Sequence, residues 1–246
     1  MSFDPYAVAS HLEAQLAKAG TPQRAEAEKA YLKSSLAFLG TPVPQIRRLT
    51  RALRLELGDL GHDEACALAR ALWSAPVHER RVAAVELLVL CRPVLEPEAI
   101  GVVEEFLRDA GTWALVDALA DRVAGDLVER RPELGATLDR WAADPDFWLR
   151  RASLLALLPG LRQGTGDFDR FARYADSMLD EKEFFIRKAL GWVLREAGKQ
   201  RPDLVLKWLA PRTHRASGIT MKEAVQYLGE ERREALLTAY RERRPV

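Results

Sequence analysis

The sequence contains few of the residues that build metal, redox or membrane sites. Only two cysteines occur in 246 residues, and the four histidines are scattered without ligand spacing to cysteine, aspartate or glutamate. Cys66 and Cys91 each lie in a helical pattern, which indicates two buried thiols rather than a disulfide or a zinc site. The sequence therefore predicts neither a metal nor a cofactor.

Long apolar runs and nucleotide-binding loops are also missing. No stretch reaches 18 apolar residues, and residues 1–10 have neither a basic flank nor an apolar signal core. We therefore expect a cytoplasmic protein without a membrane partner. There is no glycine-rich phosphate loop and no Gly-x-Ser-x-Gly elbow, which argues against a P-loop enzyme or an α/β-hydrolase. The net charge of +1 says nothing about nucleic acid, because the distribution of charge matters more than its sum.

A charged residue recurs at one position of a repeated sequence frame, at intervals of 34, 36, 34, 37 and 34 residues. Six residues after each such position stands an aliphatic side chain. Four residues before it stands Val, Trp or Phe, except in the last copy, which has Gly218. These six positions, which we call the charged ladder, are Arg47, Arg81, Asp117, Arg151, Lys188 and Lys222. Five of them are basic, and Asp117 is the only acid.

This period is too long for one helix and fits two helices with their turns. Such repeats bury their apolar faces only by stacking on their neighbours. The sequence therefore predicts an all-α, HEAT-like superhelix of about six helical repeats, forming a single domain over residues 1–246. The ladder would lie on the second helix of each pair and line a concave basic groove. The pattern gives roughly fourteen helices, with residues 22–39 and 146–158 each as one helix and 161–167 as a loop.

Three tryptophans stand one helical turn from ladder members, in the pairs Trp113 with Asp117, Trp148 with Arg151, and Trp192 with Lys188. Residues three or four apart share a helical face, so each pair would lie on one side of its helix. Two other interpretations remain open at this point. Each tryptophan can equally pack in the core. The ladder charges can equally face solvent, and Asp117 can pair with Arg81 or Arg151 of an adjacent repeat.

Several segments resemble the signatures of one known family. They are Tyr31-Leu32-Lys33, Phe38-Leu39-Gly40, Pro44 with Arg47-Arg48-Leu49, Trp113-Ala114-Leu115-Val116-Asp117, Trp148-Leu149-Arg150-Arg151-Ala152, and residues 182–196. Through them the chain, over about residues 5 to 230, is similar to the HEAT-like alkylpurine DNA glycosylases, the bacterial DNA alkylation repair proteins. The resemblance implies a helical superhelix that grips duplex DNA containing alkylated purines and removes N3- and N7-alkylated bases.

The resemblance also implies roles for individual residues. Asp117 matches the catalytic carboxylate, Trp113 and Trp192 match the aromatics that face the lesion, and Tyr31 matches a further aromatic near it. The active-site arginine falls on Arg151, which we prefer to the preceding arginine because it belongs to the ladder. The DNA-binding set expected from the ladder and the resemblance together is Tyr31, Lys33, Arg47, Arg81, Trp148, Lys188, Arg195 and Lys222.

This chain departs from the best-known relatives just before the active-site segment. They have Trp-Trp-Asp there, whereas this chain has Gly111-Thr112-Trp113-Ala114. One aromatic and one acid are therefore absent, which bears on the substrate range, but neither is the expected catalytic group. The sequence does not distinguish a preference for 3-methyladenine from one for 7-methylguanine.

Two rival functions are compatible with a helical repeat. One is a non-catalytic HEAT-repeat protein that binds damaged or distorted duplex DNA, and it would not need Asp117 beside Trp113. The other is a protein-binding HEAT scaffold, which would not need cations at equivalent positions of successive repeats. The sequence favours the glycosylase over both. A monomer is sufficient for a groove that wraps DNA.

Overall fold

The computed structural model describes residues 3–242, which form sixteen α-helices and no strand apart from one isolated backbone bridge between Ala37 and Val77. The all-α, helical-repeat fold predicted from the sequence period is therefore confirmed. The helices group into two compact units, Met1–Leu127 and Val128–Val246. A single domain with a concave basic groove stays a prediction, and its expected limits, residues 1 and 246, lie outside the described residues.

The helices of the first unit are α1 Pro5–Ala19, α2 Pro22–Leu32, α3 Val43–Glu56, α4 His62–Trp73, α5 His78–Leu90, α6 Ala99–Asp109 and α7 Trp113–Leu119. Helix α8, Gly125–Arg130, crosses the limit between the two units. Those of the second unit are α9 Gly135–Ala142, α10 Phe147–Leu155, α11 Leu158–Gln163, α12 Phe168–Met178, α13 Phe184–Gln200, α14 Pro202–Leu209, α15 Gly218–Ala224 and α16 Glu230–Arg241. The six ladder residues lie on α3, α5, α7, α10, α13 and α15.

The aliphatic position six residues after each ladder residue belongs to the core in every copy. These side chains are at most 7% exposed, and they are Leu53, Leu87 and Val123 in the first unit and Leu157, Leu194 and Leu228 in the second. Full burial of such a side chain contributes about 1.5–3 kcal/mol. Burial of this position explains why the sequence frame recurs, because each repeat needs an apolar anchor at the same place.

Polar contacts between successive repeats in the first unit span one repeat length. The guanidinium of Arg70 on α4 donates to the carboxylate of Glu105 on α6 at 2.9 Å. One turn later, the indole N–H of Trp73 donates to Asp109 at 3.0 Å. The two pairs are 35 and 36 residues apart in sequence. Equivalent helices of neighbouring repeats therefore pack with equivalent residues side by side.

The second unit repeats this arrangement. The hydroxyl of Tyr174 on α12 donates to Asp139 on α9 at 2.6 Å, and Arg212 donates through Nε to Asp176 on α12 at 2.6 Å. These pairs are 35 and 36 residues apart. The same register in both units is the structural counterpart of the sequence period.

The helix predicted over residues 22–39 is too long, because α2 ends at Leu32. Lys33 takes the left-handed conformation with φ 49°, and the chain to residue 42 is not helical. The backbone N–H groups of Leu39, Gly40 and Thr41 donate instead to the fully buried carboxylate of Glu79 on α5, at 2.6–3.3 Å. This distant carboxylate satisfies buried donors that a helix would otherwise pair internally.

The helix predicted over residues 146–158 is in fact two. Helix α10 ends at Leu155, and α11 begins at Leu158 with Pro159 in its first turn, where the missing N–H costs nothing. The loop predicted over 161–167 is also partly wrong, since α11 continues to Gln163 and ends at Gly164, whose φ of 78° suits glycine. The two cysteines are free and buried, as expected.

Candidate functional site

The expected catalytic carboxylate lies on a short helix of the first unit. Trp113 and Asp117 are one turn apart on α7, and both are half-buried, while Leu115 and Val116 on the other side of the helix are buried. Tyr31, at the end of α2, meets Trp113 edge to face, with ring centroids 6.1 Å apart and an interplanar angle of 84°. The fold thus brings Tyr31 to Trp113 on the helix that carries Asp117.

The backbone changes from an α-helix to a π-helix shortly after Asp117. Helix α7 ends at Leu119, residues Ala120–Ala124 form a π turn, and α8 follows. The Ala120 N–H donates to the backbone carbonyls of Val116 and Asp117, so the peptide of Asp117 lies next to the transition. π turns are rare and are frequently found at functional sites. No glycine or proline between residues 113 and 124 signals this turn in the sequence.

A buried carboxylate holds the π turn in place. Arg122, within the turn, donates to both carboxylate oxygens of Glu86 on α5, at 2.9 Å in one of the two bonds. Arg47 on α3 donates to the same carboxylate through Nε at 3.0 Å. Burial raises the pKa of Glu86, but the hydrogen bonds from the two arginines outweigh it, so the net pKa lies below its usual value. Sequence reasoning missed Glu86 and Arg122, although opposite charges one repeat apart could have indicated the pair.

Two expected DNA-contacting residues of the first unit, Arg47 and Lys33, are exposed. The Arg47 side chain is 53% exposed and keeps part of its guanidinium accessible beside Glu86. Lys33 is exposed at the end of α2, two residues after Tyr31, and is the only non-glycine residue with positive φ in the described part of the chain. Both placements leave a cation accessible to a ligand.

Arg81, in contrast, faces inward. The residue is 6% exposed, and its guanidinium donates to the Asp109 carboxylate at 2.7 Å and to the Asp109 carbonyl at 2.6 Å. It also lies 4.9 Å above the ring of Trp73. Burial lowers the pKa of Arg81, while the attraction to Asp109 opposes this shift. This environment is that of a structural cation, so we leave Arg81 out of the proposed DNA-binding surface.

In the second unit, the neighbouring arginines Arg150 and Arg151 have different surroundings. Arg151 is 3% exposed, donates to the backbone carbonyl of Phe185 on α13, and lies 5.8 Å from that ring. Arg150 is held by two hydrogen bonds of 2.9 Å to the carboxylate of Glu181. Of the two, only Arg151 is fixed against an aromatic ring.

Trp148 belongs to an aromatic cluster that the sequence did not predict. Its ring centroid is 4.4 Å from that of Phe147 and 5.0 Å from that of Phe185. Phe184 meets Phe185 edge on at 5.3 Å and is 51% exposed. The cluster borders Arg151 and presents one ring to solvent. The sequence could have indicated this cluster, because an aromatic residue recurs four positions before the ladder residue, at Phe147 and Phe184.

Helix α13 carries three of the expected residues in one row. The row continues with a fourth residue at the same helical spacing, so that the α13 stripe consists of Lys188, Trp192, Arg195 and Lys199. Spacings of four, three and four residues place all four side chains on one face of the helix. Lys199 was missed in the sequence analysis, although the spacing alone extends to it.

Two carboxylates accompany the α13 stripe. Glu223 on α15 accepts hydrogen bonds from Lys188 at 3.5 Å and from Arg195. The next residue back, Lys222, is exposed. The Glu223 side chain is 14% exposed, against 48% for Lys188, so the acid lies deeper than the cation. Two of the expected phosphate contacts are therefore already paired with an acid in this structure.

Glu196 is the second carboxylate, and it lies among three cations. It accepts hydrogen bonds from Lys199 at 2.9 and 3.0 Å and from Arg195 at 3.3 Å, and Arg162 of α11 lies 3.5 Å away. Burial raises the pKa of Glu196, but Lys199 and Arg195 outweigh it and leave a lowered pKa. Arg162 also lies 5.8 Å from the ring centroid of Trp192, so this expected lesion-facing tryptophan carries a cation on its ring.

Within residues 3–242, no group of three or more histidine, cysteine, aspartate or glutamate side chains is arranged to hold a metal ion. The helices in this range also lack a segment long and apolar enough to cross a membrane.

Known proteins share this fold. A predicted DNA alkylation repair enzyme from Enterococcus faecalis is similar with a TM-score of 0.77 and 24% identity, covering 86% of this chain and 97% of its own. AlkD2 from Streptococcus mutans is similar with a TM-score of 0.60 and 18% identity, and the match covers 83% of this chain and 99% of AlkD2. The smu.31 protein from Streptococcus mutans UA159 is similar with a TM-score of 0.56 and 18% identity, and the match covers 76% of this chain and 99% of that protein. At these identities the likeness establishes the fold.

No curated protein matches the chain. The family model described as DNA alkylation repair enzyme matches residues 12–228, which include α7 with Asp117, the aromatic cluster and the α13 stripe. A match over this much of the sequence is decisive for membership. The chain belongs to the DNA alkylation repair enzyme family.

Proposed function

We propose that this protein is a monofunctional DNA glycosylase that removes cationic N3- and N7-alkylated purines from duplex DNA by hydrolysing the N-glycosidic bond. The observation that carries the proposal is the face of α7, where Asp117 lies one turn from Trp113 and Tyr31 is packed edge-on against that tryptophan. Membership in the DNA alkylation repair enzyme family supports the same substrate class.

The chemistry needs one carboxylate. Alkylation at N3 of adenine or N7 of guanine leaves a positive charge on the base, which then departs without being protonated. Positive charge develops on C1′ as the bond to the sugar stretches, as in glycoside hydrolysis generally. The Asp117 carboxylate stabilises this charge and orients the attacking water, and a preorganised charge of this kind contributes about 3–4 kcal/mol.

The aromatic residues add selectivity for a charged base. Trp113 and Tyr31 hold the cationic base and sugar by cation–π contact, which contributes about 0.5–2 kcal/mol for each ring. A neutral purine gains less from both the rings and the carboxylate. Arg151 is the arginine assigned to the active site, and its packing against Phe185 suits a residue that must keep one orientation.

Accessible cations supply the affinity for the duplex. The residues that we assign to phosphate contacts are Lys33, Arg47, Lys188, Arg195 and Lys222. Such contacts position the duplex without reading its sequence, and binding should weaken steeply with salt. Tyr31 and Trp148 complete the DNA-facing set. We propose that the protein acts as a monomer in the cytoplasm.

The test is release of 3-methyladenine and 7-methylguanine from methylated duplex DNA under single-turnover conditions. The three proteins compared are wild type, Asp117→Asn and Asp59→Asn, the last being an exposed aspartate between α3 and α4. Wild type and Asp59→Asn should release the bases at equal rates and leave abasic sites. Asp117→Asn should lose about 10²–10³ in rate because a preorganised charge is removed, with duplex affinity kept.

Other outcomes separate the rival function. If wild type binds duplex DNA in a salt-sensitive way and releases neither base, the protein is a non-catalytic binder of damaged DNA. If both aspartate variants lose activity equally, the loss reflects folding, and Asp117 has no special role.

A further inference from the structure

The α13 stripe has two layers of charge. The cations Lys188, Arg195 and Lys199 have side chains that are 48%, 28% and 38% exposed. The side chains of the acids beneath them, Glu223 and Glu196, are 14% and 9% exposed. An anionic ligand that approaches this face from solvent therefore meets the cations first.

Each acid occupies the bonding positions that a phosphate would use. Arg195 donates to both Glu223 and Glu196, and Lys188 donates to Glu223 at 3.5 Å. A carboxylate and a phosphate oxygen present the same acceptor geometry to lysine and arginine. Because a cation has a limited number of donors, bonding to the acid weakens its bonding to DNA.

We infer that Glu223 and Glu196 are affinity-setting residues of the DNA-binding surface, which neutralise the α13 stripe in the free protein and compete with backbone phosphates for its cations. This inference rests on the DNA binding in the proposed function. The acids hold the cations in place before binding and lower the affinity for unmodified duplex. A protein that must leave unmodified sites to find rare lesions gains from weaker non-specific binding.

The competition has a measurable thermodynamic signature. Binding of a cation to a phosphate releases one condensed counterion from DNA and steepens the salt dependence of the affinity. If the cation leaves Glu223 at the same time, the freed carboxylate attracts a counterion and cancels part of this release. Wild type should therefore show a shallower salt dependence than a variant without the acid.

The experiment compares wild type with Glu223→Gln, which removes the charge and keeps the shape. The affinity for unmodified duplex DNA is measured by fluorescence anisotropy over a series of KCl concentrations. Glu223→Gln should bind about tenfold more tightly in 0.1 M salt, and its slope of log K against log salt should be steeper by up to about 0.9. A circular dichroism melt of each protein confirms that it is folded at the assay temperature.

The matched control is Asp176→Asn on α12. Asp176 also bridges two cations, with Arg212 at 2.6 Å and Arg215 at 3.5 Å, but it does not contact the α13 stripe. The substitution makes the same change in net charge. Its affinity should stay within about twofold of wild type and its salt slope unchanged, because the two arginines that Asp176 pairs with are not members of the α13 stripe.

A second variant tests the competition directly. Lys188→Met should weaken duplex binding only slightly when Glu223 is present, because the lysine is then partly neutralised. In the Glu223→Gln background the same substitution should weaken binding several-fold more. If Glu223→Gln melts below the assay temperature, Glu196→Gln is measured in its place, with the same expected direction in affinity and slope.

The outcomes separate this inference from the proposed function. If wild type fails to bind duplex DNA at any salt concentration, the proposed function fails. If the affinity of wild type for duplex DNA falls steeply with salt and the folded glutamine variants bind no more tightly than wild type, this inference is overturned while the proposed function stands. A gain in affinity equal to that of Asp176→Asn also overturns it, because net charge alone then explains the effect.

Discussion

Tyr31 meets Trp113 edge to face, with ring centroids 6.1 Å apart, and so joins the end of α2 to the first residue of α7. This contact sets an exposed phenol ring beside the helix that carries Asp117. An edge-to-face pair contributes about 0.5–1.5 kcal/mol beyond the area it buries. Tyr31 is 73% exposed, so the contact matters for positioning more than for overall stability.

Replacement of Tyr31 should therefore affect activity and leave folding nearly unchanged. We expect Tyr31→Ala to lower the single-turnover rate of 7-methylguanine release by about three- to tenfold, the rate equivalent of losing one aromatic pair. Tyr31→Phe keeps the ring and is the matched control, with a rate within about twofold of wild type. An alanine variant as active as wild type would show that the ring has no part in the reaction.

The π turn after α7 should depend on Glu86. Arg122→Met removes two hydrogen bonds to this buried carboxylate and leaves it with Arg47 alone, so we expect the free energy of unfolding to fall by about 2 kcal/mol. Arg47→Met removes one bond from a side chain that is half-exposed and should cost less than about 1 kcal/mol. Urea denaturation of both variants measures the difference. Equal losses would contradict the stronger role of Arg122.

His78 should make stability depend on pH. Burial lowers the pKa of His78 to about 4 from its usual 6.5, with the attraction of Glu28 opposing and the repulsion of Arg81 adding to the shift. As the pH falls below 6.5, the unfolded state takes up the proton before the folded state does. Stability is therefore full above pH 6.5 and is lost toward pH 4, by on the order of 3 kcal/mol from this group.

His78→Phe removes this titration and keeps a ring stacked on Phe38, which lies 4.6 Å from the imidazole. Urea denaturation at pH 7 and pH 4.5 should show a smaller loss of stability for the variant than for wild type. The same loss in both proteins would mean that other groups cause the acid sensitivity. A histidine NMR titration gives the folded-state pKa independently.

Two cations of the ladder should behave in opposite ways. Arg81→Met breaks a buried pair whose acid, Asp109, has a side chain that is 63% exposed and can rehydrate, so we expect a loss of about 1–3 kcal/mol in stability. The salt dependence of duplex binding should not change. Lys188→Met should lower the magnitude of the salt slope by a fraction of about 0.9, because Glu223 partly neutralises the lysine, and should change stability by less than about 0.5 kcal/mol. A changed salt slope for Arg81→Met would return Arg81 to the DNA-binding surface.

The sequence determined the helical class, the repeat and the pairing of Trp113 with Asp117. These depend on local rules: the period of the apolar residues fixes which side chains are buried, and a spacing of four fixes which residues share a helical face. Leu53, Leu87 and their equivalents are buried in every copy, which explains why the period could be recognised in the sequence.

Only the tertiary structure decided which ladder residues face inward. Arg81 and Arg151 are buried and Lys188 is exposed, although all occupy the same place in the repeat. The difference arises because the next repeat offers Asp109 to Arg81 and the Phe185 carbonyl to Arg151. These partners are 28 and 34 residues away in sequence, so no local pattern reveals them.

The same holds for the end of α2, the π turn and the acids beneath the α13 stripe. Helix α2 ends early because Glu79, some 40 residues away, satisfies the backbone of the following connection. Glu86 and Glu223 likewise act on cations of other helices. The sequence by itself therefore determined the helical class, the repeat and the chemical groups that are present. The packing of the repeats decided how those groups are paired, because hydrogen bonds and burial depend on neighbours that only the folded chain supplies.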